Sequence, residues 1–511
     1  MPAVPRLNTL RNRCPENVAD TICDTRILPC FTGIFERFSN ATANDRQTRP
    51  APTPGRLTML KLKNNLRWFY PGPLNRRIWR ISLPVTLAMI THTAVMVTDT
   101  LMVGVLGADA LAAVGLAGTV FWAYLSFFIG GSLGVQIITA RRFGEQEFQA
   151  AGRVFVSALY IVFLLGGFAT WLGWYYAGPI IELLSHENSF SGAAESFLSL
   201  RFLGVLPYFL VFVFRAFFDG IGRTEIGLCA ALATMITNIF LNWVLIYGHL
   251  GADAYGANGA AMASSLAAIP GVLVGLGFIL RREFRKFFHA IDWRVDWKSI
   301  REIAYVGFAP AIDNLLMNFS FTLFYKLAAL VGTVAVAATS IIIAVLSISF
   351  MPGFGLSIAA TTILGQAVAA GKYAEARHGT NRAALYAALL MGTIGVFFLI
   401  FSQPLLGAFT NDDAVLREAL PALLLISLVQ AADGYQMVMA AALRSAGLVY
   451  WVLGVYFVLS FLVMLPIAYV LGVHLQIGAA GLWAGILTWL TLLAVVFALK
   501  FRTRDWEGIA V

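Results

Sequence analysis

The stretch ISLPVTLAMITHTAVMVTDTLMVG, residues 81–104, decides the fold class, because it carries a single charged residue, Asp99. About 20 predominantly apolar residues suffice for a helix to cross the hydrocarbon core of a bilayer. The whole chain agrees, since 59% of its 511 residues are hydrophobic and 12% are charged, about half the charge of a soluble domain. No soluble core could hide so much apolar surface. The sequence therefore predicts an all-α integral membrane protein.

Stretches of similar length and composition recur along the rest of the chain. Division of residues 78–502 at charges, Gly/Pro clusters and polar turns predicts twelve transmembrane helices. Their predicted bounds are 81–104, 111–139, 154–177, 197–218, 226–247, 258–280, 302–328, 334–364, 380–404, 419–443, 449–471 and 479–499.

The connections between these stretches differ in charge from one side of the membrane to the other. With the N-terminus inside, inner connections and helix ends carry 19 of the 22 Lys and Arg residues beyond position 80. Cytoplasmic loops are typically enriched in these residues. The pattern predicts a multi-pass protein of the cell (inner or plasma) membrane with both termini in the cytoplasm.

The net charge of +9 arises in the N-terminal part, where residues 1–80 hold 14 Lys/Arg and 5 Asp/Glu. The positive and negative charges of residues 81–511 balance, so the basic composition indicates no nucleic-acid partner. We interpret residues 1–75 as a basic extension, most simply a disordered tail. The alternative is that Met59 is the true start of the chain.

The two halves of the predicted membrane region share landmarks at a nearly constant offset, for example Pro84 and Pro310. Six helices per half give both halves one orientation, so the repeat axis lies along the membrane normal, with a cavity between two lobes near the midplane. The predicted organisation is an N-lobe (76–280), a basic cytoplasmic loop (281–301), a C-lobe (302–500) and a cytoplasmic tail (501–511).

Acidic residues inside predicted helices need a reason, because a charge at the bilayer centre is costly. Asp99 lies in the first helix, and Asn238 and Asn242, four residues apart on one face of the fifth, have similar predicted depth. A carboxylate with two amides can hold a proton or coordinate a cation. The alternative is a static polar cluster. His92, on the same face as Asp99, is interpreted as packing polarity rather than as a proton relay.

A second group of polar residues is predicted in the C-lobe. Asp433 and Asp313 are expected at comparable depth, where two carboxylates would attract an organic cation. Structural satisfaction by neighbouring Asn and Tyr side chains is the competing interpretation. Aromatic rings could hold the same cation by their faces. The candidate substrate-binding residues are Asp433, Asp313, Asn318, Gln430, Tyr435 and Tyr208.

Several of these segments resemble the MATE (multidrug and toxic compound extrusion) family, over about residues 76–500. The resemblance lies in LPVTLAMITHTAVMVTDTLMVGVLGADALAAVGLA from residue 83, TNIFLNWVLIYG from residue 237, and the helix ends FRAFFDGIGRT and ALRSAG. They are closer to the NorM-like branch than to the DinF-like branch. The family has twelve helices in two lobes.

The resemblance implies antiport, in which Na⁺ or H⁺ enters while a cationic or amphiphilic compound leaves. Asp99, Asn238 and Asn242 match the family's N-lobe ion site, and Asp433 its tenth-helix carboxylate, the only positions where we expect Na⁺ as a metal. One departure weakens an assignment of Na⁺: this chain has Asn318 where NorM-like members place a glutamate. We expect a monomer embedded in lipid, with small organic cations as partners and no cofactor besides the coupling ion.

Other classes of protein fit less well. The six histidines are scattered and the chain has no P-loop, so neither an enzyme nor an ATP-driven exporter is expected. The residues between the second and third helices, TARRFGEQEFQAAGR, lack the signature of major-facilitator transporters. The main alternative is a flippase or exporter of a lipid-linked or metabolic substrate in the same superfamily, which usually has additional helices.

Overall fold

The computed structural model describes residues 72–185, 190–289 and 293–509. Most of the predicted basic extension, including the alternative start at Met59, lies outside the described residues. The described part begins its first helix at Pro73, within the predicted extension, and the last long helix ends at Thr503.

Eleven helices are long and apolar enough to cross a membrane, and a helix pair bent by 44° at Gly204 makes a twelfth span. The predicted all-α fold with twelve spans is therefore confirmed for the described residues. The spans are α1 Pro73–Gly104, α2 Ala108–Gly144, α3 Phe148–Leu184, α4 Ser191–Leu203 with Val205–Gly220, α5 Thr224–Tyr247, α6 Ala257–Ile279, α7 Trp297–Val331, α8 Thr333–Ala369, α9 Tyr373–Ile400, α10 Asp413–Ser445, α11 Val449–His474 and α12 Ala479–Thr503.

The buried apolar side chains form two clusters that follow the two predicted lobes. One draws mainly on α2 to α6, and the other mainly on α8 to α12. Helices α1 and α7 each contribute their first turns to the cluster of the other lobe. Ile78 and Ile81 at the start of α1 belong to the C-lobe cluster, whereas Ile303 and Val306 at the start of α7 belong to the N-lobe cluster.

Glycines permit these crossings because they let two backbones approach closely. A Cβ added at Gly130 of α2 would overlap the carbonyl oxygen of Pro310 in α7. On the symmetry-related side, a Cβ at Gly355 of α8 would overlap Thr86 of α1. Each lobe thus holds the first half of the other lobe's first helix.

We call the end of the bundle where α1 begins and α12 ends the terminal end. Here the lobes are joined by two related contacts, in which a side chain of one lobe donates to a helix-end carbonyl of the other. The Arg141 guanidinium of α2 donates to the Ser445 carbonyl at the end of α10, from Nη2 at 3.0 Å and Nε at 3.2 Å. The Gln366 amide of α8 donates to the Gly220 carbonyl at the end of α4, at 2.7 Å.

These two contacts are equivalent under the internal repeat, because Arg141 and Gln366, like Gly220 and Ser445, differ by 225 positions. The last carbonyls of a helix have no partner within that helix. Each lobe therefore supplies the missing donor to a helix end of the other. We refer to the two contacts as the cross-lobe caps.

Further bonds between the lobes lie in the same half of the bundle. Arg142 donates to Glu302 at 3.1 Å, and Gln136 donates to Thr362, also at 3.1 Å. In the conformation described here, the lobes are thus fastened to each other at the terminal end.

Candidate functional site in the two lobes

The first polar site lies in the N-lobe between α1, α5 and α6. Asn242 donates through Nδ2 to Asp99 at 2.5 Å, and the Ser264 hydroxyl donates to the other oxygen of Asp99 at 3.3 Å. Asn238 links these groups, because it donates to Ser264 at 3.1 Å and accepts from Asn242 at 3.2 Å. The structure therefore brings together all three residues predicted for this lobe and adds Ser264.

One acceptor in this N-lobe cluster is left over. The Oδ1 atom of Asn242 is buried and has no hydrogen-bond partner in the part of the chain that the structure describes. A buried acceptor without a partner is unfavourable. Rotation of the Asn242 amide would turn this oxygen toward Asp99, where it could accept from a protonated carboxyl or coordinate a cation together with the carboxylate. The cluster thus combines a carboxylate with an amide oxygen, the oxygen ligands that a proton or a monovalent cation would require.

The second site is a cavity of about 480 Å³ in the C-lobe, within the size range of small-molecule sites. It lies between α7, α8, α10, α11 and α12, and α2 contributes Leu133 and Ile137. Its wall is mostly apolar and includes six aromatic side chains. They are Phe321, Phe350, Phe354, Tyr456, Trp483 and Trp489.

Asp433 projects into this cavity from α10 and is 2% exposed. One carboxylate oxygen accepts from the Gln436 amide at 2.9 Å, and Gln436 accepts in turn from the Tyr456 hydroxyl at 2.8 Å. The other oxygen of Asp433 has no partner among the described residues, and neither do the buried indole N–H groups of Trp483 and Trp489. One anionic acceptor and two donors of the lining residues are therefore buried without a partner among the described residues.

Asp313 lines the same cavity as Asp433, but it is not a second free carboxylate. It forms an ion pair with Arg444, whose guanidinium also lies 5.3 Å from the centre of the Tyr456 ring. The expectation that two carboxylates together attract an organic cation is therefore corrected, because the charge of Asp313 is already paired. With Asp313 neutralised by Arg444, the charges that line the cavity sum to the single negative charge of Asp433.

Comparison with known protein families matches both copies of the internal repeat. A family model described as MatE matches residues 84–244 and 310–470, which begin at Pro84 and Pro310. The chain belongs to the MatE family. The two matches cover the N-lobe and C-lobe halves at the spacing that the sequence predicts for its internal repeat.

Named relatives extend this MatE assignment over most of the chain. A probable multidrug resistance protein NorM from Thermotoga maritima is 26% identical over 443 residues, covering 86% of this chain and 94% of the relative. The protein of the same description from Rhizobium meliloti is 29% identical, covering 82% of this chain and 91% of the relative.

Solved structures show the same MatE fold. A MOP superfamily transporter from Pyrococcus furiosus matches with a TM-score of 0.78 at 21% identity, covering 85% of this chain and 96% of that structure. A multidrug resistance MATE family transporter described in an outward-facing conformation matches equally well, with the same TM-score and coverage. These likenesses support the two-lobe arrangement of twelve helices.

The remaining predicted substrate residues are spread over different parts of this MatE chain. Gln430 lines the cavity beside Asp433 and accepts from the Ser349 hydroxyl at 2.6 Å. Asn318 instead reaches toward the N-lobe and donates to Ser126 of α2 at 3.1 Å. Tyr435 faces a separate cavity on the other side of α10.

Tyr208 lies in the N-lobe, apart from the C-lobe cavity. Its ring packs against Phe121, and the guanidinium of Arg201 lies 5.6 Å from its centre. Its cationic neighbour is thus a residue of the protein itself. His92 packs against Trp122 with ring centres 5.3 Å apart, as expected for packing polarity.

Proposed function

We propose that the chain exports cationic or amphiphilic organic compounds in exchange for H⁺ or Na⁺. The single observation that carries this proposal is the C-lobe cavity, an apolar chamber with six aromatic side chains whose one uncompensated charge among the described residues is a carboxylate with a free oxygen. A flat organic cation matches both features, since ring faces and one buried carboxylate attract it together. The multidrug-resistance names of the relatives support the same substrate class.

Coupling would follow from competition for buried carboxylates. A coupling cation at Asp433 excludes a cationic drug from the same oxygen atoms, so the two species bind alternately. The Asp99 cluster supplies a second place for the coupling cation. This cluster lies on α1, and the first turns of α1 pack in the C-lobe. Binding of the coupling cation at Asp99 can therefore change the contact between the lobes.

The transport cycle also requires two conformations that open in turn to the two sides. We propose that the terminal end faces the cytoplasm of a cell (inner or plasma) membrane, as its basic loops favour. The conformation fastened by the cross-lobe caps is then the outward-open one. One chain contains both lobes, and we expect it to work as a monomer in lipid, with no cofactor besides the ion.

The flippase alternative is not favoured. The described residues contain twelve spans, without the additional helices that would support it, and the relatives are described as probable multidrug resistance proteins. The cavity wall is also mostly apolar, and its described residues include no cluster of free cations to hold a phosphate-rich substrate.

A transport assay in proteoliposomes tests the proposal. An inside-negative potential contributes about 2.3 kcal/mol per charge per 100 mV, and a one-for-one exchange of monocations cancels this contribution. With the potential clamped at zero by valinomycin and K⁺, we expect an inward gradient of H⁺ or of Na⁺, imposed separately, to drive ethidium out of the compartment that the terminal end faces. A rate of ethidium movement that is the same with and without each ion gradient would contradict antiport.

Asp433→Asn tests the cavity in the same assay. The change keeps the side-chain volume and the Gln436 contact but removes the negative charge, and a lost charge-assisted contact costs about 1.5–3 kcal/mol. We expect ethidium affinity, measured by fluorescence titration of the purified protein, to fall about tenfold or more, with a matching loss of export at low ethidium. The uncharged dye Nile red serves as a control, since its binding should change little.

A further inference from the structure

A second cavity of about 430 Å³ lies at the terminal end of the C-lobe, between α9, α10 and α12. It shares no lining residue with the substrate cavity. Neither the ion site nor the drug site accounts for it.

Three arginines surround this cavity, and its described lining includes no acidic residue. Arg377 forms one long ion pair, with Glu507 at 3.6 Å. The side chains of Arg502 and Arg504 are exposed and make no hydrogen bond or ion pair with any described residue. The cavity is therefore strongly cationic.

The end of α12 places these arginines at the mouth. Arg504 terminates the helix in a left-handed conformation, with φ of 63°. The chain then turns back, so that Trp506 stacks on Phe501 at 4.8 Å and its indole donates to the Phe501 carbonyl at 2.9 Å. This fold fixes the last turn of α12, from which both arginines project.

The polarity of the wall changes with depth. Asn381 follows the arginines, and the lining continues along α9 and α12 with Leu385, Ala388 and Ala498. The deepest contribution from α10 is Tyr435, ten residues before the end of that helix at Ser445, or about 15 Å into the bundle. A cationic mouth therefore leads onto an apolar floor that runs along the membrane normal.

We propose that this cavity binds one anionic phospholipid of the leaflet at the terminal end, with its phosphate at Arg502 and Arg504 and an acyl chain on the apolar floor. Basic pockets between transmembrane helices suit anionic headgroups, because guanidinium groups bind phosphate oxygens in pairs. A free anion would contact the arginines at the mouth, but it would make no apolar contact with the floor. The floor thus favours a lipid over soluble phosphate. This inference does not depend on the substrate or on the coupling ion.

Native mass spectrometry of the full chain, purified in detergent and titrated with lipid, tests the proposal. We expect one phosphatidylglycerol adduct to be retained in preference to phosphatidylcholine. An interfacial arginine contributes a factor of about five to binding of an anionic lipid, so Arg502→Gln/Arg504→Gln should weaken phosphatidylglycerol binding about 25-fold. Arg282→Gln/Arg285→Gln is the matched control, since it removes the same charge from exposed positions at the same end and should change nothing.

A second variant tests the floor without changing charge. Ala388→Phe fills the acyl-chain groove and should also reduce phosphatidylglycerol binding, while the thermal midpoint of each variant in detergent verifies folding. Equal retention of phosphatidylcholine would overturn the proposal. So would full displacement of the lipid by millimolar inorganic phosphate, or wild-type phosphatidylglycerol binding by the double arginine variant.

Discussion

Asp99→Asn is expected to reduce coupled export to the rate of protein-free liposomes while the protein folds normally. The substitution is nearly isosteric, and an amide can still meet Ser264 and Asn242 after rotation. What it removes is the charge that attracts the coupling cation. Loss of a charge from a buried, hydrogen-bonded pair costs about 2–5 kcal/mol. Ion affinity should therefore fall at least ~30-fold.

The measurement is ethidium export from proteoliposomes under the imposed ion gradient, with reconstituted protein matched by gel. Asp253→Asn is the control, because Asp253 is exposed in the loop before α6 and makes no contact with either site. Ser264→Ala should give an intermediate loss, since one of two bonds to Asp99 remains. Export by Asp99→Asn at the wild-type rate would show that the N-lobe cluster is only structural.

The spans, the repeat and the N-lobe cluster follow from the sequence because each depends on a local signal. Twelve apolar stretches are visible without tertiary information, and charge asymmetry orders them. Asn238 and Asn242 lie four residues apart on one helix face, and Asp99 is the one charge in its span. Because lipid surrounds the fold, polar residues such as these are confined to a small number of interior positions.

The C-lobe was predicted less well because helix rotation decides which neighbours of Asp433 share its cavity. Residues two apart on a helix point about 200° away from each other, and for this reason Tyr435 faces a different cavity. Gln436, three residues after Asp433, was the better candidate from spacing alone. Arg444 lies about three turns after Asp433 on the same face, and its proximity to Asp313 also depends on the packing of α7 against α10.

Contacts between the lobes could not be predicted from single spans. Arg141 was interpreted only as one of the basic residues of an inner connection, yet it caps a helix of the other lobe. The symmetry of the cross-lobe caps becomes visible only when both lobes are docked. Trp483 and Trp489 were likewise indistinguishable from lipid-facing tryptophans until α12 was placed beside the cavity.

Arg141→Leu/Gln366→Leu is expected to shift the protein away from the conformation fastened at the terminal end. The Gly220 and Ser445 carbonyls end their helices, and in the fastened conformation the other lobe supplies their donors. When the lobes separate at this end, water can replace those donors. The caps therefore stabilise one conformation selectively, which is the condition for moving an equilibrium between two states.

The size of the shift follows from the bonds removed. A hydrogen bond to a charged group contributes about 1.5–3 kcal/mol and a neutral one about 1 kcal/mol. Removing both caps should cost the fastened conformation about 3 kcal/mol, a shift of roughly a hundredfold in the ratio of the two states. Export should fall because the protein then returns slowly to the outward-open conformation.

Double electron–electron resonance can measure this directly, with nitroxides at Arg153 and Lys372, which are exposed at the terminal end of opposite lobes. The native cysteines are replaced by serine first. We expect a short distance in the unaltered background and a longer one in the double variant. Arg223→Leu is the control, because Arg223 pairs with Glu225 of the N-lobe and with Glu283 of the loop that follows it, and with no residue of the C-lobe among the described ion pairs. An unchanged distance distribution in the double variant would mean that other contacts, such as Arg142 with Glu302, hold the lobes together.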